Sequence, residues 1–267
     1  MDRFAVEKND LLRRLRTSHN YFGILGDFKT LVVNTVERNF SVQMRDEVEE
    51  NWKKLLEKSK GNLWSGGIVA CYPQKTFLNK SELHISIYPT EYKFYISSLN
   101  LPARVWTLGV SGIVGLKEGN KKYYIFGERN DKTMDAGGKI ETLPAGFVMP
   151  EHLKAEKPFE KTLLQELVEE VGITNKNINN LKPFLIGNIR TDKLSDRLYQ
   201  DTCLVYTLSI EGLSRKNVSD IFDSSEREHT KIEFVDSNEL INYLNSNFNN
   251  LSVRTRFCLE YFIGNGE

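Results

Sequence analysis

Cysteine is scarce in this chain: Cys71, Cys203 and Cys258 are the only three in 267 residues, and they stand far apart without metal-ligand spacing. That argues against a disulfide framework and a cysteine-based zinc site, and predicts reduced, partly buried thiols. Net charge is lacking as well. Lys and Arg number 36 and Asp and Glu also 36, so no global field draws the chain toward long nucleic acid or an anionic membrane, although a local basic site stays open. The opening Met1-Asp2-Arg3-Phe4-Ala5-Val6-Glu7-Lys8 has no apolar core of the secretory kind. No stretch approaches the roughly 18 uninterrupted apolar residues of a membrane span. A soluble, cytoplasmic protein without a membrane partner is expected. Internal repeats and low-complexity tracts are absent too.

What is present mixes helix and strand. The length suits two modest domains, and Asn100-Leu101-Pro102 breaks the pattern between them. The sequence therefore predicts a small mixed α/β domain over 1–102 and a second domain over 103–267. In the first, Val48, Trp52, Leu55 and Leu56 recur at helical spacing and predict a helix from Arg45 to Lys60, ended by Gly61-Asn62. Strand-like runs follow at Gly67 to Tyr72, Leu83 to Tyr88 and Lys93 to Ile96. In the second, strands are predicted at Val105 to Val114, Lys122 to Glu128, Phe184 to Ile189, Leu198 to Ser209 and Lys231 to Val235. Closing helices are predicted at Ser237 to Phe248 and Leu251 to Ile263. Asp135-Ala136-Gly137-Gly138 suits a turn or loop. Tyr123, Tyr124 and Phe126 read as core strand residues.

One helix carries the chemistry. Pro158 to Val171 places Leu163, Leu164, Leu167, Val168 and Val171 on one stripe, with Gly172 where a left-handed cap belongs. Successive residues turn by about 100°, which gathers Glu166, Glu169 and Glu170 on the other face. These carboxylates sit near the carbonyl end of the helix, where the macrodipole opposes them as their mutual repulsion does. Lys161 and the neutral Gln165 supply no obvious side-chain compensation. A hard divalent cation with oxygen ligands would satisfy them, whereas the plainer reading is a solvated acidic face. Upstream, Leu143-Pro144-Ala145-Gly146-Phe147 forms a rigid turn in which glycine lets backbone approach an ion or phosphate.

Together these residues resemble the Nudix hydrolase superfamily, whose box is Gly-x5-Glu-x7-Arg-Glu-U-x-Glu-Glu-x-Gly-U with U aliphatic. Gln165-Glu166-Leu167-Val168-Glu169-Glu170-Val171-Gly172-Ile173 matches the second half at every fixed position but the first, where glutamine replaces arginine. Gly146 fits the opening glycine. The interval from it to the helix is about five residues longer than the pattern, through Met149 to Glu156, and the isolated glutamate of the box falls on Lys157, beside Glu156 and Glu160. The resemblance implies an α+β fold, a Nudix α/β/α sandwich with a mixed sheet, covering about Val105 onward and preceded by the N-terminal domain.

Its functional implications are a magnesium- or manganese-dependent pyrophosphatase. Glu166, Glu169 and Glu170 would be catalytic metal ligands, with the Gly146 carbonyl as a further one. Glu228 is the first candidate for an additional catalytic glutamate from a later loop, and Glu226 the second. Arg129 and Arg190, at strand ends, are candidate phosphate contacts, with ordinary surface charge as their plainer role. His152 in the inserted loop is a candidate ligand contact. His229 suits a loop histidine, and His19 and His84 structural or surface roles. Pro-Ala-Gly before the helix and the extra N-terminal domain are similar to members cleaving ADP-ribose and nucleotide sugars. The expected substrate is therefore a small nucleotide, a nucleoside diphosphate linked to a sugar-like group. A weakened nucleotide-binding or protein-docking module is the competing class, suggested by Gln165 and the stretched loop. RNA ends or dinucleoside polyphosphates are a third. The N-terminal domain is expected either to cover the pocket or to build a homodimer.

Overall fold

The computed structural model describes residues 3–17, 20–25, 28–61, 63–99, 101, 104–130, 137–191, 199–223 and 228–265. In chain order the elements are α1 (Arg3–Thr17), β1 (Asn20–Leu25), β2 (Thr30–Thr35), α2 (Val42–Lys58), β3 (Gly67–Cys71), β4 (Phe77–Asn79), β5 (Glu82–Glu91) and α3 (Tyr92–Ser98). There follow β6 (Trp106–Glu118), β7 (Lys121–Arg129), β8 (Ile140–Thr142), β9 (Ala145–Phe147) and α4 (Pro158–Val171). The chain then forms β10 (Ile178–Thr191), β11 (Tyr199–Ile210), α5 (Arg215–Asp223), β12 (His229–Asp236), α6 (Leu240–Asn247) and α7 (Val253–Gly264). None of the described helices is long and apolar enough to cross a membrane.

The fold is α+β with a mixed sheet, as the sequence implies. Twelve strands join in it along the path β1-β10-β11-β6-β3-β5-β2, with the other five attached as side branches. β11 pairs β6 in parallel, β2 pairs β5 in parallel, and the remaining ladders are antiparallel. Alternation along the central strands sends side chains to opposite faces, as a period of two requires. Leu204, Tyr206 and Leu208 of β11 meet Phe159, Leu163, Leu167 and Val171 of α4, with Val218 of α5 in the same core. Cys203 and Val205 face the other way, into a core built by Leu11 and Leu15 of α1, Leu244 of α6 and Phe257, Leu259 and Phe262 of α7. The sheet is thus covered by helices on both faces. A third core packs Met44 and Val48 of α2 and Tyr95 of α3 on Ile68 and Ala70 of β3.

Strands cross the position of the predicted domain boundary. β1 pairs β10 and β3 pairs the start of β6, while Pro102 itself lies outside the described residues. One predicted strand is a helix: Lys93 to Ile96 lies in α3. Its apolar and aromatic residues fit either period over so short a run, and burial of Tyr95 against the α2 side decides for helix.

The strand that organises the site is β6. One edge pairs β11 from Thr107 to Leu116. The other changes partner twice, from β3 at Trp106 and Thr107, to β9 at Gly109 to Ser111, to β7 from Gly115 to Glu118. β9 is a three-residue strand that pairs β6 alone. Among the described residues its outer edge has no strand ladder, and the glutamate helix packs against β9.

Candidate active site

α4 begins with Pro158 in its first turn and ends at Gly172, whose φ of 81° is the left-handed conformation that glycine adopts without strain. These are the bounds predicted from the sequence. The apolar stripe is narrower than predicted, because Val168 is 42% exposed while Leu163 and Leu167 are fully buried. Anchored by those leucines, the helix turns Glu166 and Glu170 toward β9 and leaves Glu169 on the exposed side.

Each glutamate meets a different surrounding. Glu166 lies directly over Gly146, where an added Cβ would overlap its carboxylate. A side chain at 146 would push the Glu166 carboxylate out of this position, so the glycine leaves room for it there. Glu170 is 4% exposed, and its Oε2 accepts the Ala145 backbone N–H at 3.0 Å, so a side chain satisfies a strand-edge amide that has no ladder partner. Glu169 Oε1 accepts from Gln165 Nε2 at 2.8 Å. The neutral amide at 165 therefore does serve one of the three charges, contrary to the expectation that it offers no compensation.

The electrostatics divide in two. Burial pushes the Glu166 carboxyl up to about 8, helped by repulsion from Glu169 and Glu228 and opposed by Arg254 and Arg129. Burial likewise drives Glu170 well above the usual carboxylate range, with Glu166 and Glu141 adding to it. Glu141 of β8, equally withdrawn from water, goes the other way. Burial opposes its ionisation, but His229, Arg129 and Arg254 together outweigh that and hold it at about 2. Arg129 Nη1 donates to Glu141 Oε2 at 2.9 Å, and Nη2 lies 2.9 Å from Glu228 Oε2. His229 Nε2 is 3.7 Å from the same Glu141 oxygen, and its ring lies across Gly127.

Beyond these, Asp201 of β11 is fully buried, accepting from Thr107 Oγ1 at 2.9 Å and from Arg254 Nη2 at 3.1 Å. A Cβ at Gly109 would stand 3.2 Å from the Gly146 carbonyl oxygen and 3.3 Å from an Asp201 oxygen, so this ion pair borders the glycine pair behind Glu166.

The predicted residues are thus placed as follows. Gly146, Glu166, Glu169 and Glu170 share the β9–α4 junction, and Glu228 acts on Glu166 through space while pairing with Arg129. Arg129 is engaged by two carboxylates. Arg190 is described in its backbone only, within β10 opposite Asn20. Glu226, His19 and Asp135-Ala136 fall outside the described residues. Glu160 pairs with Lys157 at 3.2 Å. His152 is buried against α4, His229 is buried at the start of β12, and His84 stacks on Phe77. Sequence reasoning missed Glu141, Asp201 and Arg254. Glu141 stands three residues before the Pro-Ala-Gly turn, the one signal available; Asp201 and Arg254 carry none.

The donor chemistry fits a divalent cation. Glu166 and Glu170 offer hard oxygen atoms, and both are buried beside other anions at a cost that a cation would relieve. Among the described residues, however, no group of three or more His, Cys, Asp or Glu side chains is gathered closely enough to hold one ion. Glu169 is turned to Gln165 instead.

No family model matches the chain, and no curated protein does. Among solved structures it is similar to the Nudix domain of Shewanella oneidensis NrtR complexed with ADP ribose, at 14% identity and TM-score 0.39, over 60% of this chain and 88% of that one. A Nudix hydrolase from Nitrosomonas europaea is similar at 12% identity and TM-score 0.39, over 60% and 90%. A C. elegans Ap4A hydrolase is similar at 12% identity and TM-score 0.33, over 59% and 98%.

Proposed function

We propose that the protein is a metal-dependent hydrolase of a diphosphate linkage in a small nucleotide. The observation that carries this reading is the pair of buried carboxylates, Glu166 over Gly146 and Glu170 on the Ala145 amide, with burial opposing the ionisation of both and Glu166 adding to the cost at Glu170. A folded chain keeps such repulsion when a function uses it. Glu166 and Glu170 would hold magnesium or manganese, with Glu169 joining them through its other oxygen while Oε1 stays on Gln165, and with the Gly146 carbonyl as a further ligand. A divalent ion bound there supplies charge neutralisation on the diphosphate and a more acidic water.

The chain's own groups do the rest. The Ala145 amide and the α4 leucines fix where the carboxylates stand. Glu228, whose charge Glu166 already feels, takes the proton of the attacking water, and Arg129 holds Glu228 in place. Arg129 and Arg190 are the proposed contacts for substrate phosphate. The substrate class is a nucleoside diphosphate joined to a sugar-like group, of the UDP-sugar or ADP-ribose kind, a reading supported by the Pro-Ala-Gly turn before the helix.

The test is phosphorus NMR of a panel of such compounds incubated with the protein and magnesium. A nucleoside monophosphate and a sugar phosphate are expected, and both should vanish with Glu166→Gln. Absence of products, or products that survive that substitution, overturns the reading. A second reading, a nucleotide binder without turnover, is favoured by the arrangement of Glu169 toward Gln165 rather than into a three-carboxylate cage. Calorimetry separates the two, since a binder returns the nucleotide intact.

A further inference from the structure

Two departures from the family box meet at one place. The interval between Gly146 and α4 is extended, and its residues are wound into a 3-10 turn, Pro150–Lys154, that lays His152 against the helix. Gln165 stands where the box has arginine. The His152 side chain is buried, with Nδ1 2.8 Å from Thr162 Oγ1 and Nε2 2.9 Å from Gln165 Oε1. Gln165 Nε2 in turn donates to Glu169 Oε1 at 2.8 Å. Thr162, Gln165 and Glu169 follow the three- and four-residue spacing that puts side chains on one stripe of a helix.

The chemistry of an amide orders this chain. A carboxylate only accepts, so the amino end of Gln165 must face Glu169 and its carbonyl oxygen must face the ring. His152 Nε2 therefore carries a proton. Its Nδ1 faces the Thr162 hydroxyl, whose single proton has two acceptors within reach, that nitrogen and the Pro158 carbonyl at 3.0 Å. From His152 onward the donors point the same way, through Gln165, and the series ends on an anionic oxygen, an arrangement in which aligned groups reinforce one another.

We infer that His152 and Gln165 form a positioning pair for Glu169, and that the lengthened loop and the glutamine are one coupled change. This rests on the proposed role of Glu169 as a metal ligand. An arginine holds a carboxylate by its own charge. A glutamine on the exposed side of a helix swings freely unless its other end is fixed, and here a buried imidazole fixes it. Outer groups of this kind aim the ligand without touching ion or substrate.

Two measurements on the full chain test the pair. In long-range proton–nitrogen spectra of the imidazoles, with the His152 signals identified by their loss in His152→Asn, the ring should be protonated at Nε2, and Gln165→Ala should shift that nitrogen. A ring protonated at Nδ1 alone overturns the proposal. In steady-state kinetics on the cleaved substrate, Gln165→Ala, at an exposed position, should lower kcat about tenfold with KM changed less than about twofold. His152→Asn should act alike, the double variant should be no worse than either single one, and His152→Asn with Gln165→Arg should recover most of the rate. Additive losses, or a lower melting temperature with kcat intact, also overturn it. If the unaltered protein cleaves nothing, the proposed function falls and the pair is judged by the ring protonation alone.

Discussion

The cluster has two sides, and they treat a buried carboxylate in opposite ways. On the β7–β8 side, Glu141 is surrounded by Arg129, Arg254 and His229 and is held ionised down to about pH 2. On the β9–α4 side, Glu166 meets Glu169 and Glu228, and burial lifts its carboxyl to about 8. Both side chains are largely withdrawn from water, so desolvation does not separate them. The sign of the neighbouring charge does. Glu141 is matched within the protein and belongs to its architecture, whereas Glu166 is mismatched within the protein, which is how a ligand-binding carboxylate differs from a structural one.

Removing each charge breaks the comparison in a different observable. Glu166→Gln should lower kcat about a thousandfold if its metal contact is worth several kcal/mol to the reaction. The same substitution should raise the melting temperature without metal, because it removes a carboxyl whose ionisation folding opposes. Loss of stability there would place Glu166 with the structural carboxylates. Glu141→Gln should be the reverse, costing about 3 to 5 kcal/mol in denaturant unfolding by leaving Arg129 and Arg254 poorly matched. An unchanged unfolding midpoint would remove the contrast.

Acidity sharpens it further. The folded pKa of Glu141 is depressed from 4.5 to about 2, so its contribution, roughly 3 kcal/mol, is present above about pH 4.5 and lost as pH falls toward 2. The folded pKa of Glu166 is raised from 4.5 to about 8; the native state then binds more protons than the unfolded one, and stability falls as pH rises through that window. The melting temperature in chelator should therefore be highest near pH 5, with the alkaline limb flattened by magnesium. A limb that magnesium leaves unchanged would detach the ion from Glu166.

The helix was legible because several local signals agree on it. Its apolar period, the proline in its first turn and the glycine after it fix α4 at Pro158–Val171, and the carboxylate spacing follows from the helix itself. The remainder of the site depends on long-range pairing. Arg254 reaches Asp201 across 53 positions of chain, and Glu141 acquires its partners only when β7, β8 and β12 come together. Gln165 looked like a plain loss of charge, because the contact that orients it comes from His152, thirteen positions earlier and outside the helical period. The short strands β1 and β2 carry no alternation strong enough to declare themselves, and they are paired at the sheet edges by their neighbours β10 and β5.

Arg254 deserves a last thought for what a guanidinium cannot do. Of the charges near Glu166 it alone comes from α7, and it is held at buried Asp201. It keeps its proton at every pH a protein survives. While the glutamates gain and lose protons around them, Arg254 and Arg129 stay positive, so the acidic cluster about Glu166 is never left wholly uncompensated.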